Sequence, residues 1–406
     1  MAKMLSINNK MNVNYYAGNK LITFLISLYF FLCPIEFVFN SISPIGPPIK
    51  YLGIIIILVI LFRAYFVQTH LIISWVHLGL ISWCFIEVLS IFWTPSIHYA
   101  LVYLSSYINV IIFFTIITVF KYTISQINLF LNFTLLGSTF AAILMLNSMS
   151  LYHGEGIRYT FSFLGAELDP NNAAAFLVYG VAISFFKTLN NKKGFSIFHL
   201  ALFIINAVAL FFTGSRGGFV ASILSIIIIT FSLMKNKSFF NSLVYCLKIT
   251  LIVLTGLWIL SLFIPIELLD RFLDFESYEG GSERTVIWDF AIQQLYESPI
   301  IGFGIGSFLN TSVNYFGHVK GMHNSYLMIL FETGFLGITF FMSSIIILVL
   351  KIIKSRNYFA LAILLCGLIP SLFLDALVKR FLWNGLILCA ILIFNEIPRV
   401  DKSKEN

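Results

Sequence analysis

Charge is what this sequence has least of. Only 11% of its 406 residues are Asp, Glu, Lys or Arg, where soluble domains carry about a quarter. With hydrophobic residues at 59% and a mean hydropathy of +0.94, a fold built around one core in water is excluded. Cysteine is scarce as well. Cys33, Cys84, Cys246, Cys366 and Cys389 lie in apolar runs without short mutual spacing, which points to packing as small hydrophobes rather than to disulfides or a metal. No HExxH occurs, and His318 and His323 do not have the i, i+4 spacing of a helical zinc pair. A Ser-centred nucleophile elbow is missing. Gly302-Phe-Gly-Ile-Gly306 departs from the dinucleotide fingerprint and follows no strand pattern. Strand-like alternation is absent too, which disfavours a membrane barrel.

What remains is a succession of apolar runs, each long enough to cross a bilayer as a helix. They predict an all-α, polytopic transmembrane helical bundle of about twelve spans with one long, partly helical outer loop. The spans fall at 21–39, 50–67, 71–93, 99–120, 127–148, 171–187, 197–214, 217–234, 243–264, 323–350, 358–376 and 381–396. The first run is full length and reads as a retained anchor. Gly334 and Gly337 mark 323–350 as a kinked or broken span. With the N-terminus inside, only Lys50, Arg158, Arg216, Arg271, Arg284, Lys320, Lys379 and Arg380 of the 25 Lys and Arg residues fall outside. The positive-inside rule then places both termini in the cytoplasm. This bias accounts for the formal charge of +7 without a nucleic-acid partner.

Two outer segments exceed ordinary connectors. The segment 149–170 closes on Asp169-Pro170, an N-cap followed by proline at the first helical position. The segment 265–322 is acidic, and Ser282 is placed to cap a helix through about residue 296 whose apolar side lies on the membrane surface or the bundle.

Three polar residues stand out against this apolar background. Arg216, in Thr213-Gly-Ser-Arg-Gly-Gly, sits where the chain reverses between two spans. A guanidinium there snorkels or captures an anion, and it grips phosphate bidentately at any relevant pH. Arg284 lies in the first turn of the loop helix, facing its positive end, so it pairs with Glu279 or Glu283 or awaits an outside anion. His323 opens the tenth span beside Asn324, with Glu332 following inside the apolar run. An intramembrane glutamate is either a functional group or a brace between helices.

The order of these motifs resembles the O-antigen ligase and O-antigen polymerase superfamily of bacterial membrane glycosyltransferases. The chain runs from Thr213-Gly-Ser-Arg-Gly-Gly through Ser282-Glu-Arg-Thr-Val-Ile-Trp288 and Ser298-Pro-Ile-Ile-Gly-Phe-Gly-Ile-Gly306 to His323-Asn-Ser-Tyr-Leu327 and Phe331-Glu-Thr-Gly-Phe-Leu-Gly337. The resemblance divides the chain into N-terminal spans (1–199), a ligase-related core (200–345) holding the outer loop 265–322, and C-terminal spans with a cytoplasmic tail (346–406). It implies an inverting enzyme of the bacterial inner membrane that needs no metal or cofactor. The implied donor is an undecaprenyl-pyrophosphate-linked glycan. The implied acceptor is lipid A-core for a ligase, or another lipid-linked repeat unit for a polymerase. Arg216 and Arg284 correspond to the donor pyrophosphate-binding pair and His323 to the residue engaging the acceptor hydroxyl. Asn324, Glu332, Lys379 and Arg380 are supporting candidates, with Trp383 beside the last two. A transporter of lipid-linked oligosaccharides is the competing class; it predicts charged groups along both sides of an alternating pathway.

Overall fold

The computed structural model describes residues 20–36, 48–66, 71–151, 159–163, 166–190, 196–234 and 283–395, with isolated positions between 244 and 256. Most of them are helical. In chain order the helices are α1 (Lys20–Leu32), α2 (Pro48–Phe66), α3 (Trp75–Leu89), α4 (Ile97–Thr118), α5 (Ile124–Asn147), α6 (Pro170–Leu189), α7 (Ile197–Phe212), α8 (Arg216–Met234), α9 (Glu283–Leu295), α10 (Ser307–Phe316), α11 (Ser325–Ser355), α12 (Tyr358–Leu368) and α13 (Arg380–Phe394).

Among the described residues, seven helices are long and apolar enough to cross a membrane: α2, α3 extended to Phe92, α4, α5, α6, α8 and α11. The shorter apolar helices α1, α7, α12 and α13 coincide with four more expected spans. The chain is therefore a multi-pass membrane protein. The expected span 243–264 and the cap Ser282 fall almost entirely outside the described residues.

Helix α6 is the buried centre, with 78% of its most apolar window enclosed. Lipid supplies no hydrophobic drive between helices, so close approach of small residues and interhelical hydrogen bonds must hold the bundle. The sequence of α6 suits that demand. Ala173, Ala174, Ala175 and Gly180 present little bulk, and a Cβ at Gly180 would meet Asn206 of α7 and Ser138 of α5. Asn206 Nδ2 donates to Thr139 Oγ1 (2.7 Å), and Tyr179 OH donates to the Phe381 carbonyl of α13 (2.6 Å).

Two expectations need correction. The segment after α5 is not a plain loop: β1 (Met149–Leu151), β2 (Tyr159–Phe163) and β3 (Ala166–Glu167) form a small antiparallel sheet, pairing Ser150 with Thr160 and Ser162 with Glu167. These strands are too short to show alternation in the sequence. The span placed at 358–376 ends early. Pro370, which has no N–H to donate, opens a 3-10 turn through Leu372, and residues 373–379 form a connection outside any helix. The long span does break as expected, at Gly334 (φ 62°, ψ −163°), within α11.

Helices α6, α8, α11 and α13 begin at the same end of the bundle. A Cβ at Gly218 would lie 2.8 Å from Ala174, so the first turns of α8 and α6 touch. The Phe176 and Phe381 rings sit 5.9 Å apart, joining the starts of α6 and α13. Ser325 at the start of α11 accepts the Ala376 N–H and donates to the Leu374 carbonyl, both at 2.7 Å. Four positive helix ends thus gather on one face.

Candidate active site

Each helix start on this face carries its own local device. Asp169 caps α6, its carboxylate accepting the Asn171 and Asn172 N–H groups at 3.0 Å. Between α7 and α8 the chain turns through Gly214 (φ 59°), and Ser215 Oγ accepts the Gly218 N–H at 3.4 Å. Arg216 is the first residue of α8 and its side chain is exposed. The next residue, Gly217, abuts the Phe373 ring, which leads straight into the 373–379 connection.

Among the described residues, only His323 and Arg356 carry a side chain on a left-handed backbone. The His323 φ is 51°, a conformation rare for a residue with a side chain. Such a position persists only where its surroundings impose it. Here they do. The His323 N–H donates to Asp375 Oδ1 at 2.8 Å, and Nδ1 lies 3.7 Å from Asp375 Oδ2. Asn324 caps α11, accepting the Tyr326 and Leu327 N–H groups at 3.1 and 3.0 Å. The same turn is held from outside. Trp288 of α9 donates its indole N–H to the Met322 carbonyl at 2.9 Å. Trp288 lies one turn beyond Arg284 and shares its helix face, so this bond seats that face of α9 beside the His323 turn.

Asp375 is the hub of the site. Ser325 pins its connection on one side, and Trp383 Nε1 pins the other by donating to the Leu377 carbonyl at 2.8 Å. Burial pushes the Asp375 carboxyl above its ordinary range. The His323 imidazole, the His323 N–H, Lys379 and Arg284 all pull it back down. Three cationic or titratable side chains from α9, the His323 turn and the start of α13 therefore surround one carboxylate. Asp375 also borders a small cleft lined by Tyr103, Tyr107, Ser325, Met328, Leu377 and Val378. The His323 side chain is 45% exposed and Asp375 25%, so a substrate can reach both.

The other candidates divide. Lys379 is exposed and acts on Asp375. Arg380 instead forms an ion pair with Glu36, tying α13 to the end of α1. Trp383 is 1% exposed and packs 6.3 Å from Trp83. Glu332 is wholly buried below the cleft, where Tyr107 donates its hydroxyl to Oε2 at 3.3 Å. Asp375 itself was not singled out by sequence reasoning. Neither was Glu87, a buried carboxylate of α3 that interacts with Glu332. The rule that flags Glu332, an acid inside an apolar run, would have flagged both.

Among the described residues no cluster of three or more His, Cys, Asp or Glu side chains is arranged to hold a metal ion. The arrangement is instead one for anions and for a proton: guanidinium and ammonium groups at convergent helix starts, beside an oriented imidazole. No curated protein matches the chain. Residues 201–342, the stretch that holds Arg216, Arg284, His323 and Glu332, match the family model described as O-antigen ligase, in a multi-pass membrane protein.

Proposed function

We propose that this protein transfers a glycan from undecaprenyl pyrophosphate to an acceptor glycan at the outer face of the bacterial inner membrane, with both termini cytoplasmic. Among the forms of this reaction it is the ligase, with lipid A-core as acceptor. The observation that carries the reading is the gathering of Arg284, Lys379 and His323 around Asp375, at the end of the bundle where Arg216 and four helix N-termini also lie.

The chemistry follows from that arrangement. Nucleotide sugars are absent outside the cytoplasm, so the donor arrives already activated on a lipid. Attack by the acceptor oxygen forms the new bond to the anomeric carbon as the bond to the pyrophosphate oxygen breaks, which inverts that carbon. Charge builds on the departing undecaprenyl pyrophosphate. Arg216 and Arg284 bind that group and stabilise the charge, each well-placed donor contributing about 3–4 kcal/mol. His323 takes the acceptor proton on Nε2. Asp375, facing Nδ1, orients the ring and stabilises the imidazolium that forms, as a buried carboxylate does for a catalytic histidine elsewhere. The proton balance closes on His323, and no metal is required.

Against a transporter, the polar side chains in question collect at one end of the bundle rather than along a pathway. The test offers purified protein lipid A-core and lipid-linked repeat units in separate reactions and sizes the products. A single transfer to lipid A-core supports the ligase. Lengthening of the lipid-linked chain identifies a polymerase instead. Chelator should leave the rate unchanged, and strong inhibition by it contradicts the metal-free reaction.

A further inference from the structure

None of these steps uses Glu332, yet both oxygens of its carboxylate are engaged. Its Oε1 accepts the Gly306 N–H at 2.7 Å and its Oε2 the Tyr107 hydroxyl at 3.3 Å. Its own carbonyl accepts the Gly304 N–H at 2.8 Å, and the preceding carbonyl, of Phe331, accepts the Phe303 N–H at 2.9 Å. Gly334 follows, where α11 breaks. Beyond the break the Phe335 and Leu336 N–H groups donate to the Pro299 and Ile300 carbonyls at 2.8 and 3.0 Å.

A helix broken inside a bilayer exposes N–H and C=O groups that lipid cannot satisfy. The segment 298–306 supplies the missing partners. Its glycines are what let it enter: Gly304 has φ 90°, and a Cβ there would lie 2.7 Å from Thr94 Cα. Ser90 Oγ accepts the Ile305 N–H at 2.8 Å, completing the seat. The glycine-rich run is thus a backbone insert docked in the gap of α11. The backbone pairs alone would close that gap. The carboxylate adds something else, a link from the insert to Tyr107, whose side chain lines the cleft beside Asp375. The insert follows directly on α9, which carries Arg284 and is bonded to the His323 turn through Trp288.

We propose that Glu332 is a positioning residue: by clasping Gly306 and Tyr107 together it holds the helix that bears Arg284 at a fixed separation from His323 and Asp375. The inference rests on the transfer reading above. It differs from a role for Glu332 as a proton carrier, and from simple support of the fold.

The test compares Glu332→Gln, Glu332→Ala and Tyr107→Phe in the full chain reconstituted in lipid. It reads kcat and KM for the lipid-pyrophosphate donor, and hydrogen exchange over 298–306. A glutamine oxygen still accepts the Gly306 N–H, so Glu332→Gln should keep kcat within about threefold of wild type. Glu332→Ala should lose about 10²-fold in kcat, the scale of a misplaced reacting group, with a smaller change in KM and faster exchange over 298–306. Tyr107→Phe, which removes one bond, should lose several-fold in kcat, and it carries the test if Glu332→Ala does not fold. Equal inactivity of Glu332→Gln and Glu332→Ala overturns the proposal in favour of proton transfer. Wild-type kcat per folded molecule in Glu332→Ala, or in Tyr107→Phe should the alanine variant not fold, overturns it in favour of a structural role. Unchanged exchange in Glu332→Ala overturns the clasp whether or not the wild type transfers glycan, whereas a wild type that transfers nothing sinks the transfer reading alone.

Discussion

His323 and His77 occupy opposite ends of the same pair of packed helices, α11 and α3, and they are solvated, bonded and strained in opposite ways. His77 is 1% exposed. Its Nδ1 accepts the Ser74 N–H at 3.1 Å and its Nε2 lies 2.9 Å from Thr118 Oγ1, whose own hydroxyl donates to the Phe114 carbonyl. That network assigns the proton to Nε2 and leaves neither nitrogen available. His77 closes a helix start and goes no further. His323 has a left-handed backbone, one nitrogen facing a carboxylate and a half-exposed ring beside a cleft. A histidine at a helix start is thus a cap when both nitrogens are satisfied locally. It becomes a candidate base when a distant part of the chain holds one nitrogen and leaves the other open.

Substitutions sharpen that contrast. His323→Ala should give the largest loss, about 10²–10⁴-fold in kcat with donor binding largely intact, the contribution expected of a general base. Arg284→Ala or Arg216→Ala should cost about 10²–10³-fold, as removal of one oxyanion donor does, and should also weaken donor binding; rate and binding assays separate the two effects. Asp375→Asn should lower kcat by about 10–10²-fold, because it leaves an imidazole in place but removes the charge that orients it and stabilises its protonated form. The smallest effect belongs to His77→Gln. Turnover per folded molecule should match wild type, while thermal stability falls by about 1–3 kcal/mol for the buried bonds it disrupts. A His77 variant with impaired chemistry would erase the distinction between the two histidines.

The pH profile offers a further test. Burial raises the Asp375 carboxyl above its ordinary range, so on acidification it takes up its proton earlier than an exposed aspartate would. Only the charged form stabilises an imidazolium on His323. Activity should therefore fall with decreasing pH along a limb that starts above the usual carboxylate range of about 3.9. The residual activity of Asp375→Asn should lack that limb, and a limb that persists unchanged belongs to another group.

Much of this face was legible in the sequence. Arg216, Arg284 and His323 are visible because fixed charge and imidazole are conspicuous in hydrocarbon, and Asp169-Pro170 announces a helix start that the structure contains. Asp375 was within reach of the rule that marks an acid in an apolar run. What the sequence could not tell is its role, because only the early stop at Pro370 places it in a connection where it meets His323 from 52 positions away. The glycine insert was hidden for a different reason. Phe303, Gly304 and Gly306 bond to the Phe331 carbonyl and to the carbonyl and carboxylate of Glu332, and no local pattern encodes a pairing across that distance. Arg380 drew attention as a cation, and only the fold reveals Glu36 as its partner.

An acceptor-dependent release assay in reconstituted vesicles tests the transfer most directly. Purified protein supplied with an undecaprenyl-pyrophosphate-linked glycan should liberate free undecaprenyl pyrophosphate only when lipid A-core is added, and the His323→Ala protein should bind the donor yet liberate none. Release that ignores the acceptor, or full turnover in His323→Ala, would contradict it.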